Sequence, residues 1–521
     1  MSNIRMKQVT QAINRAWASL DYNTHGNLHA TYEYIRQTIL NDSSLTDDEK
    51  TEAIRASNKD YDRDKIRCNI GTRRICENCN QKCLATLYCE YCVQNYLKAR
   101  FSNWTSGSND IDNLIQKCQL ETHDPAMIVE WVPYNNLQNI KHLTKGGFSD
   151  IYTANWIDGY YIEWDTKKQQ LKRFGTQHVA LKELVNVEGA SQIWFEEAKS
   201  HLNISNKYPR IAKCCGLTQN PSNGNYMLVL NWRDANLREY LQRNHSRLTW
   251  KERIKIVFSI IDALRWIHKE NSIHRDLHSG NVLYSQYADS WCISDLGFCG
   301  PADKSSKSIY GNLPYIAPEV ISGRKYSFAS DIYSIGMLMW EISSGQLPFC
   351  NYEHDYNLAM NIVNGVRPRI VPGTPLEYEN LIKQCWDADS LKRPNINTLL
   401  YEISEINASF QNVSNESQAN NNLNKSNLEK NYTSKMLFTS KVHQFENFPE
   451  PRNATKEEQE AFYSKSYDLN IPDNFDDSNS NYASTSKTSR KLKGFSKRLS
   501  KIFKPLNINS KNGMGNNATT D

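Results

Sequence analysis

One short stretch limits what this chain can fold into more than any other. It reads Ile273-His274-Arg275-Asp276-Leu277-His278-Ser279-Gly280-Asn281-Val282-Leu283. Before it, from Trp250 to His268, the residues Ile254, Val257, Phe258, Ile261, Leu264 and Ile267 recur at helical spacing. That pattern predicts a helix buried along one face. From Asn281 to Tyr284 the chain reads as a strand. Asp276 and Asn281 therefore stand at a helix-to-strand junction. There a carboxylate can accept a hydroxyl proton and an amide oxygen can ligate a cation, a pairing suited to phosphoryl transfer.

Asp295-Leu296-Gly297 follows Asn281, and Ala317-Pro318-Glu319 comes later. In that order these motifs resemble those of eukaryotic protein kinases, closest to the tyrosine-kinase-like group. The resemblance covers about residues 138–407. It implies an α+β, bilobal fold with a β-rich N-lobe and an α-helical C-lobe. It also implies ATP-dependent transfer to a protein hydroxyl, Ser/Thr ahead of Tyr, with the choice between them left open by the sequence.

The resemblance assigns roles residue by residue. Asp276 would orient and deprotonate the acceptor hydroxyl, and Asn281 and Asp295 would hold Mg²⁺ on the ATP phosphates. Lys182, after Val179-Ala180-Leu181 in a strand-like run, would clamp two phosphates. A buried lysine needs a partner to stay charged, and the helical run Phe195 to Leu202 offers Glu197, with Glu196 as the neighbouring alternative. Ala180 and Leu283 would sandwich adenine, and the backbone of Asn231 to Arg233, after Leu230, would bond its edge. Leu143 to Ile151 resembles the glycine-rich phosphate loop, keeping only the central family glycine, Gly146, with Gly147 beside it, and carrying Thr144 and Ser149 where the family has its first and third glycines. His274 and Leu296 would join an apolar column between the lobes. Asp331 would brace the catalytic loop, and Arg393 would pair with Glu319. In the activation segment, residues 295–319, the candidate phosphate acceptors are Ser305, Ser306, Ser308 and Tyr310, with Arg275 as the partner for a phosphate there.

His278 departs from the family. It stands where serine/threonine kinases usually carry lysine, and an imidazole is only partly charged near neutral pH. The alternative reading is a pseudokinase, a scaffold that binds nucleotide or partners without catalysis. The presence together of Lys182, Asp276, Asn281 and Asp295 argues against it.

A second module precedes the kinase-like region. Cys76-x-x-Cys79 and Cys89-x-x-Cys92 are separated by nine residues. Two such knuckles can bring four thiolates around one structural zinc. Cys68 and Cys83 are spare thiols nearby. Four thiolates leave no open position, so catalysis at zinc is not implied.

The expected organisation is a helical segment at 1–67, the cysteine module at 68–95, a connector at 96–137, the kinase region at 138–407 and a disordered tail at 408–521. Thr46, followed by Asp47, Asp48 and Glu49, predicts a capped helix start. Residues 156–177 read as a long hairpin loop with a solvated, charged surface. The tail is rich in Asn, Ser, Lys and Glu, with too little apolar surface to offset ordering entropy. Within it, residues 487–511 carry nine Lys or Arg and no acid, although the whole chain is only +5. There Leu492, Phe495, Leu499, Ile502, Phe503 and Leu506 recur at helical spacing. A basic amphipathic helix of that kind suits an anionic membrane or a partner groove; specific nucleic-acid binding is not expected. No apolar run is long enough for a membrane span, and Met1 to Arg5 lacks a secretory signal pattern. The chain is therefore expected to be intracellular and cytoplasmic.

Overall fold

The structure, a computed structural model, describes residues 4–20, 27–122, 124–145, 149–184, 190–297, 299, 309–411, 440–445 and 447–464. Met1–Phe462 form one compact unit; Tyr463–Asp521 are a second, of which only the first two residues are described.

The strand predicted around Lys182 runs from Gln177 to Leu184 and lies inside a six-stranded sheet. The strand order is Glu130–Trp131, Cys214–Gln219, Tyr226–Asn231, Gln177–Leu184, Ser149–Trp156, Leu137–Lys145. Successive side chains on a strand face opposite ways. Val179 and Leu181 thus pack with Ala154, Trp156, Met227 and Val229 in one core. Lys182 and Ala180 turn to the other face. Their register is pinned on both sides: Lys182 pairs with Ile151 and Leu228, and Ala180 with Thr153 and Leu230. The sheet reaches back into the expected connector, since Glu130–Trp131 adds a parallel edge strand on Cys214–Gln219.

The helix predicted before the catalytic stretch spans Trp250–Lys269. Thr249 and Glu252 close a capping box at its start, satisfying amides that have no partner inside the helix. Ile254, Val257, Ile261, Leu264 and Ile267 are all buried. They join one core with the helices Phe328–Ser344 and Ile396–Gln411. Phe328–Ser344 is buried along almost its whole length.

Ahead of the kinase-like region, helices Met6–Ala18, Leu28–Leu40 and Asp47–Cys68 share a small apolar core. Thr46 caps the third helix as predicted, and Glu49 completes a capping box with it. Near the end of the third helix, buried Asp62 accepts from the amides of Thr86 and Leu87 and pairs with Lys65. That bracket joins the helices to the cysteine module.

Two expectations need correction. Residues 156–177 do form a hairpin, Tyr161–Asp165 with Gln170–Arg173, but it is not simply a solvated surface. Trp164 and Leu171 are buried in the cluster that holds Cys76, Cys89 and Cys92, and Arg173 pairs with Glu130. The lysine-rich composition hid two inward-facing residues. The tail is also not disordered throughout. Lys441–His443 is a strand paired antiparallel with Ile309–Gly311, and Lys456–Ser464 is a helix. Phe445, Phe448 and Phe462 pack against the C-lobe core. These aromatics are diluted in a mostly polar tail of 114 residues, 408–521, so the average composition concealed them. The basic stretch 487–511 lies outside the described residues.

Candidate functional site

The stretch around Asp276 is held from beneath by Asp331. This carboxylate, in the first turn of Phe328–Ser344, accepts from the amides of His274 at 2.8 Å and Arg275 at 3.0 Å. His268 reaches the same carboxylate at 2.9 Å. Arg275 has φ 71°, a left-handed conformation that costs about 1 kcal/mol or more outside glycine. The two amide bonds to Asp331 hold the chain in that bend. His274 is fully buried and bonds the Ser294 carbonyl at 3.0 Å. Asn281 donates through Nδ2 to the Asp276 carbonyl at 2.9 Å. With the amide nitrogen so engaged, the amide oxygen is the end of Asn281 that could ligate a cation. The Ser294 amide and hydroxyl both bond the Asn281 carbonyl, at 2.8 and 3.0 Å.

Across the cleft, Lys182 Nζ lies 2.8 Å from Asp295 Oδ1, with both side chains mostly buried. Burial by itself pushes the Asp295 carboxyl up. Lys182 more than reverses this, and the group sits well below the usual carboxylate range. Asp295, like Arg275, is left-handed, at φ 60°. The next residue, Leu296, is completely buried, and its amide donates to His201 Nε2 at 3.3 Å. Burial, then the charge of Lys182, holds the His201 imidazole down at about 3. A neutral ring with an accepting nitrogen is what the Leu296 amide requires. His201 was not singled out from the sequence. Its position on the Glu197 helix, Ala190–Ser205, was the available signal.

Other expected site residues distribute as follows. Ile151 and Ala180 lie on neighbouring strands, while Leu143 is half exposed near the end of Leu137–Lys145. Leu283 is on the short strand Val282–Ser285, which pairs with Ser290–Ile293. The Asn231 amide donates to the Lys213 carbonyl at 3.0 Å, and Arg233 Nε reaches Cys292 Sγ at 3.4 Å. Gly146, Gly147, Ser305, Ser306 and Ser308 lie outside the described residues, as does the side chain of Glu197. Tyr310 is in the strand Ile309–Gly311, and its carbonyl accepts from Tyr326 at 2.6 Å. Arg393 grips Glu319 with two bonds, 2.8 and 2.7 Å, both side chains buried.

One residue that the sequence did not flag sits on an oxygen of the Asp276 carboxylate: Ser440 Oγ is 2.8 Å from Asp276 Oδ1 and 3.1 Å from His278 Nε2. His278 Nδ1 accepts from the Gly280 amide at 3.0 Å. A ring nitrogen that accepts carries no proton, so the ring proton is on Nε2.

The cysteines converge. Cys76 and Cys92 sulfurs are 3.7 Å apart, Cys79 and Cys89 sulfurs 3.6 Å, and all four lie within 4.8 Å of one another. A tetrahedral zinc with bonds of about 2.3 Å needs sulfur–sulfur edges of about 3.8 Å. The four thiols fit that ion. Cys83 is buried and bonds the Arg74 carbonyl at 3.5 Å; Cys68 is exposed.

Comparison with known proteins agrees with this geometry. Residues 137–403 match the family model described as protein tyrosine and serine/threonine kinase. The dual serine/threonine and tyrosine protein kinase of Mus musculus is 35% identical over 154 residues, covering 28% of this chain and 16% of that protein. The Dictyostelium discoideum protein named "Probable serine/threonine-protein kinase roco5" is 28% identical over 301 residues, covering 54% of this chain and 10% of the relative. The chain thus spans a small part, 10% to 16%, of these relatives' lengths.

Proposed function

The chain belongs to the protein tyrosine and serine/threonine kinase family, and from that premise we propose that it transfers the γ-phosphoryl group of ATP to a protein hydroxyl, serine or threonine first. The observation that carries the reading is the braced Asp276–Asn281 loop, joined through the bonds of Ser294 to Asn281 with the Lys182–Asp295 pair. Asp276 orients the acceptor hydroxyl and takes its proton. Lys182 binds and orients the phosphates. Asn281 and Asp295 supply hard oxygen donors of the kind Mg²⁺ prefers; the bound ion would neutralise charge on the phosphates. Ala180, Leu283 and the backbone from Asn231 to Arg233 are the proposed adenine contacts, with Leu143, Gly146, Gly147 and Ile151 over the phosphates. Glu197 is the proposed second partner of Lys182. Ser305, Ser306, Ser308 and Tyr310 remain the proposed regulatory acceptors. The scaffold alternative is not favoured, because a degenerate kinase would be expected to lose at least one of Lys182, Asp276, Asn281 and Asp295, and all four are present.

The test is phosphate incorporation from ATP and Mg²⁺ by the purified chain beside Asp276→Asn, with phosphoamino-acid analysis. Loss of the positioned base should lower the rate by about a hundredfold or more. Equal incorporation by both proteins would refute the assignment.

For the N-terminal module the proposed ligand is one structural zinc on Cys76, Cys79, Cys89 and Cys92. The fit of the sulfur spacing supports it. Among the described residues no disulfide is formed, which supports a reducing, cytoplasmic setting. Among the described residues no helix is long and apolar enough to cross a membrane. Residues 487–511 are the proposed contact for an anionic membrane surface or a protein groove, on charge and spacing alone.

A further inference from the structure

The geometry points to Ser440 as a phosphate acceptor of this chain's own kinase site, presented to Asp276 within the same molecule. The inference rests on the kinase reading above and names a substrate for it.

Four observations converge. First, the Ser440 hydroxyl is already placed as an acceptor would be, 2.8 Å from Asp276 Oδ1. His278 fixes the direction of that bond. Its Nε2 carries the ring proton and donates to Ser440 Oγ at 3.1 Å, so the serine proton points to Asp276.

Second, the backbone beside Ser440 is docked in register. Gly311 pairs with Lys441, Tyr310 with Val442 and Ile309 with His443. The two segments form a two-stranded sheet of their own, a pairing that fixes the segment by its main chain. His443 Nε2 donates to the Gly311 carbonyl at 3.0 Å, and Lys441 Nζ to the His354 carbonyl at 3.1 Å. Gly311 has φ 145°, and a Cβ there would meet Asp276 Oδ1 at 3.3 Å. The lack of a side chain at 311 leaves room for the hydroxyl on that carboxylate.

Third, the segment is anchored well beyond the strand. The Ser322 hydroxyl donates to the Pro449 carbonyl, and Arg324 pairs with Glu450. The Arg452 amide donates to the Val363 carbonyl at 3.1 Å, and the Ala388 amide to Asn453 Oδ1 at 2.9 Å. Phe462 stacks on Tyr352 at 4.9 Å. Fourth, this tethering places the hydroxyl at a high effective concentration, which favours reaction within one molecule over reaction between two.

The step balances. Ser440 Oγ bonds to the γ-phosphorus of ATP while the bond from that phosphorus to its bridging oxygen breaks. The serine proton passes to the Asp276 carboxylate, and ADP leaves with the electron pair of the broken bond. The product places a phosphate dianion against the Asp276 carboxylate. Like charges at that range repel, so the modified strand should leave the groove.

The full chain is incubated with ATP and Mg²⁺, and sites are mapped by mass spectrometry at several protein concentrations. We expect phosphate on Ser440 with a first-order rate constant that does not change over a tenfold dilution. Ser440→Ala should lose that site, and Ser440→Ala combined with Phe445→Ala and Phe448→Ala, in which the docked strand is loosened, should still phosphorylate an added peptide with the sequence of residues 436–446. Phe445→Ala with Phe448→Ala, which loosens the anchor without touching Asp276, should slow modification of Ser440 severalfold. A second readout needs no nucleotide: hydrogen exchange of residues 441–443 should be slow in the unmodified chain and at least tenfold faster in Ser440→Asp. Transfer to other sites or to the peptide, with Ser440 unmodified, would overturn the inference and leave the kinase reading standing. A Ser440 rate constant proportional to protein concentration would overturn the intramolecular step. No transfer to any acceptor would overturn both.

Discussion

At single residues, most of the catalytic geometry depends on buried polar groups that hold backbone in place. The Arg393–Glu319 fork is fully enclosed, and removing one partner strands the other charge. Arg393→Ala should therefore cost about 3–5 kcal/mol, read from the urea midpoint; a loss under about 1 kcal/mol would refute that account. His201 makes a prediction with a sign. Its folded titration point is about 3, against an ordinary value of 6.5 in the unfolded chain. The unfolded chain thus binds the extra proton first. The stability from this group is complete above about pH 6.5 and falls as pH drops toward 3, by at most about 1.4 kcal/mol per pH unit. His354, also held low by burial at about 4, adds a loss of the same sign. His201→Gln should make the decline between pH 6.5 and 5 shallower by about one proton. Identical slopes in the two proteins would rule out a neutral buried His201.

Among the elements, the hairpin Tyr161–Asp165 with Gln170–Arg173 has the largest unexpected role. It joins the cysteine module to the N-lobe through Trp164, which meets Tyr96 edge-on at 5.4 Å. Its Glu163 also draws Arg55, Lys59 and Lys172, so the third helix is tied to it as well. Trp164→Ala should cost about 3–5 kcal/mol locally, seen as faster hydrogen exchange over residues 76–97. Unchanged exchange there would show that the contact adds nothing. The cysteine module makes its own prediction. The purified chain should hold one zinc, and Cys92→Ser should lose it, as measured by metal analysis. Full retention of zinc in that variant would remove Cys92 from the ligand set.

For the whole molecule, what matters is which distant segments share one surface. The C-terminal segment lies along the C-lobe so closely that Gly365, at φ 92°, has no room for a side chain; a Cβ there would meet the Ala454 amide at 2.1 Å. Gly365→Ala should release residues 447–462 to fast exchange while the Trp250–Lys269 helix stays protected. Continued protection of both would place the anchor elsewhere. The kinase motifs were legible because chemistry demands particular residue types in a particular order, and Asp331 and Arg393 were legible for the same reason. The capped helix at Thr46 and the strand at Lys182 could be read from local physics: an orphan amide needs a cap, and a buried strand alternates. Trp164 in the cysteine cluster, His201 on Leu296 and Ser440 on Asp276 could not. Each joins groups many residues apart through a contact that neither segment's own periodicity encodes. By itself the sequence determined the kinase family and the two-lobed plan. Only the tertiary structure decided which hydroxyl rests on Asp276, because that choice is made by where the folded C-lobe lets a distant strand pair.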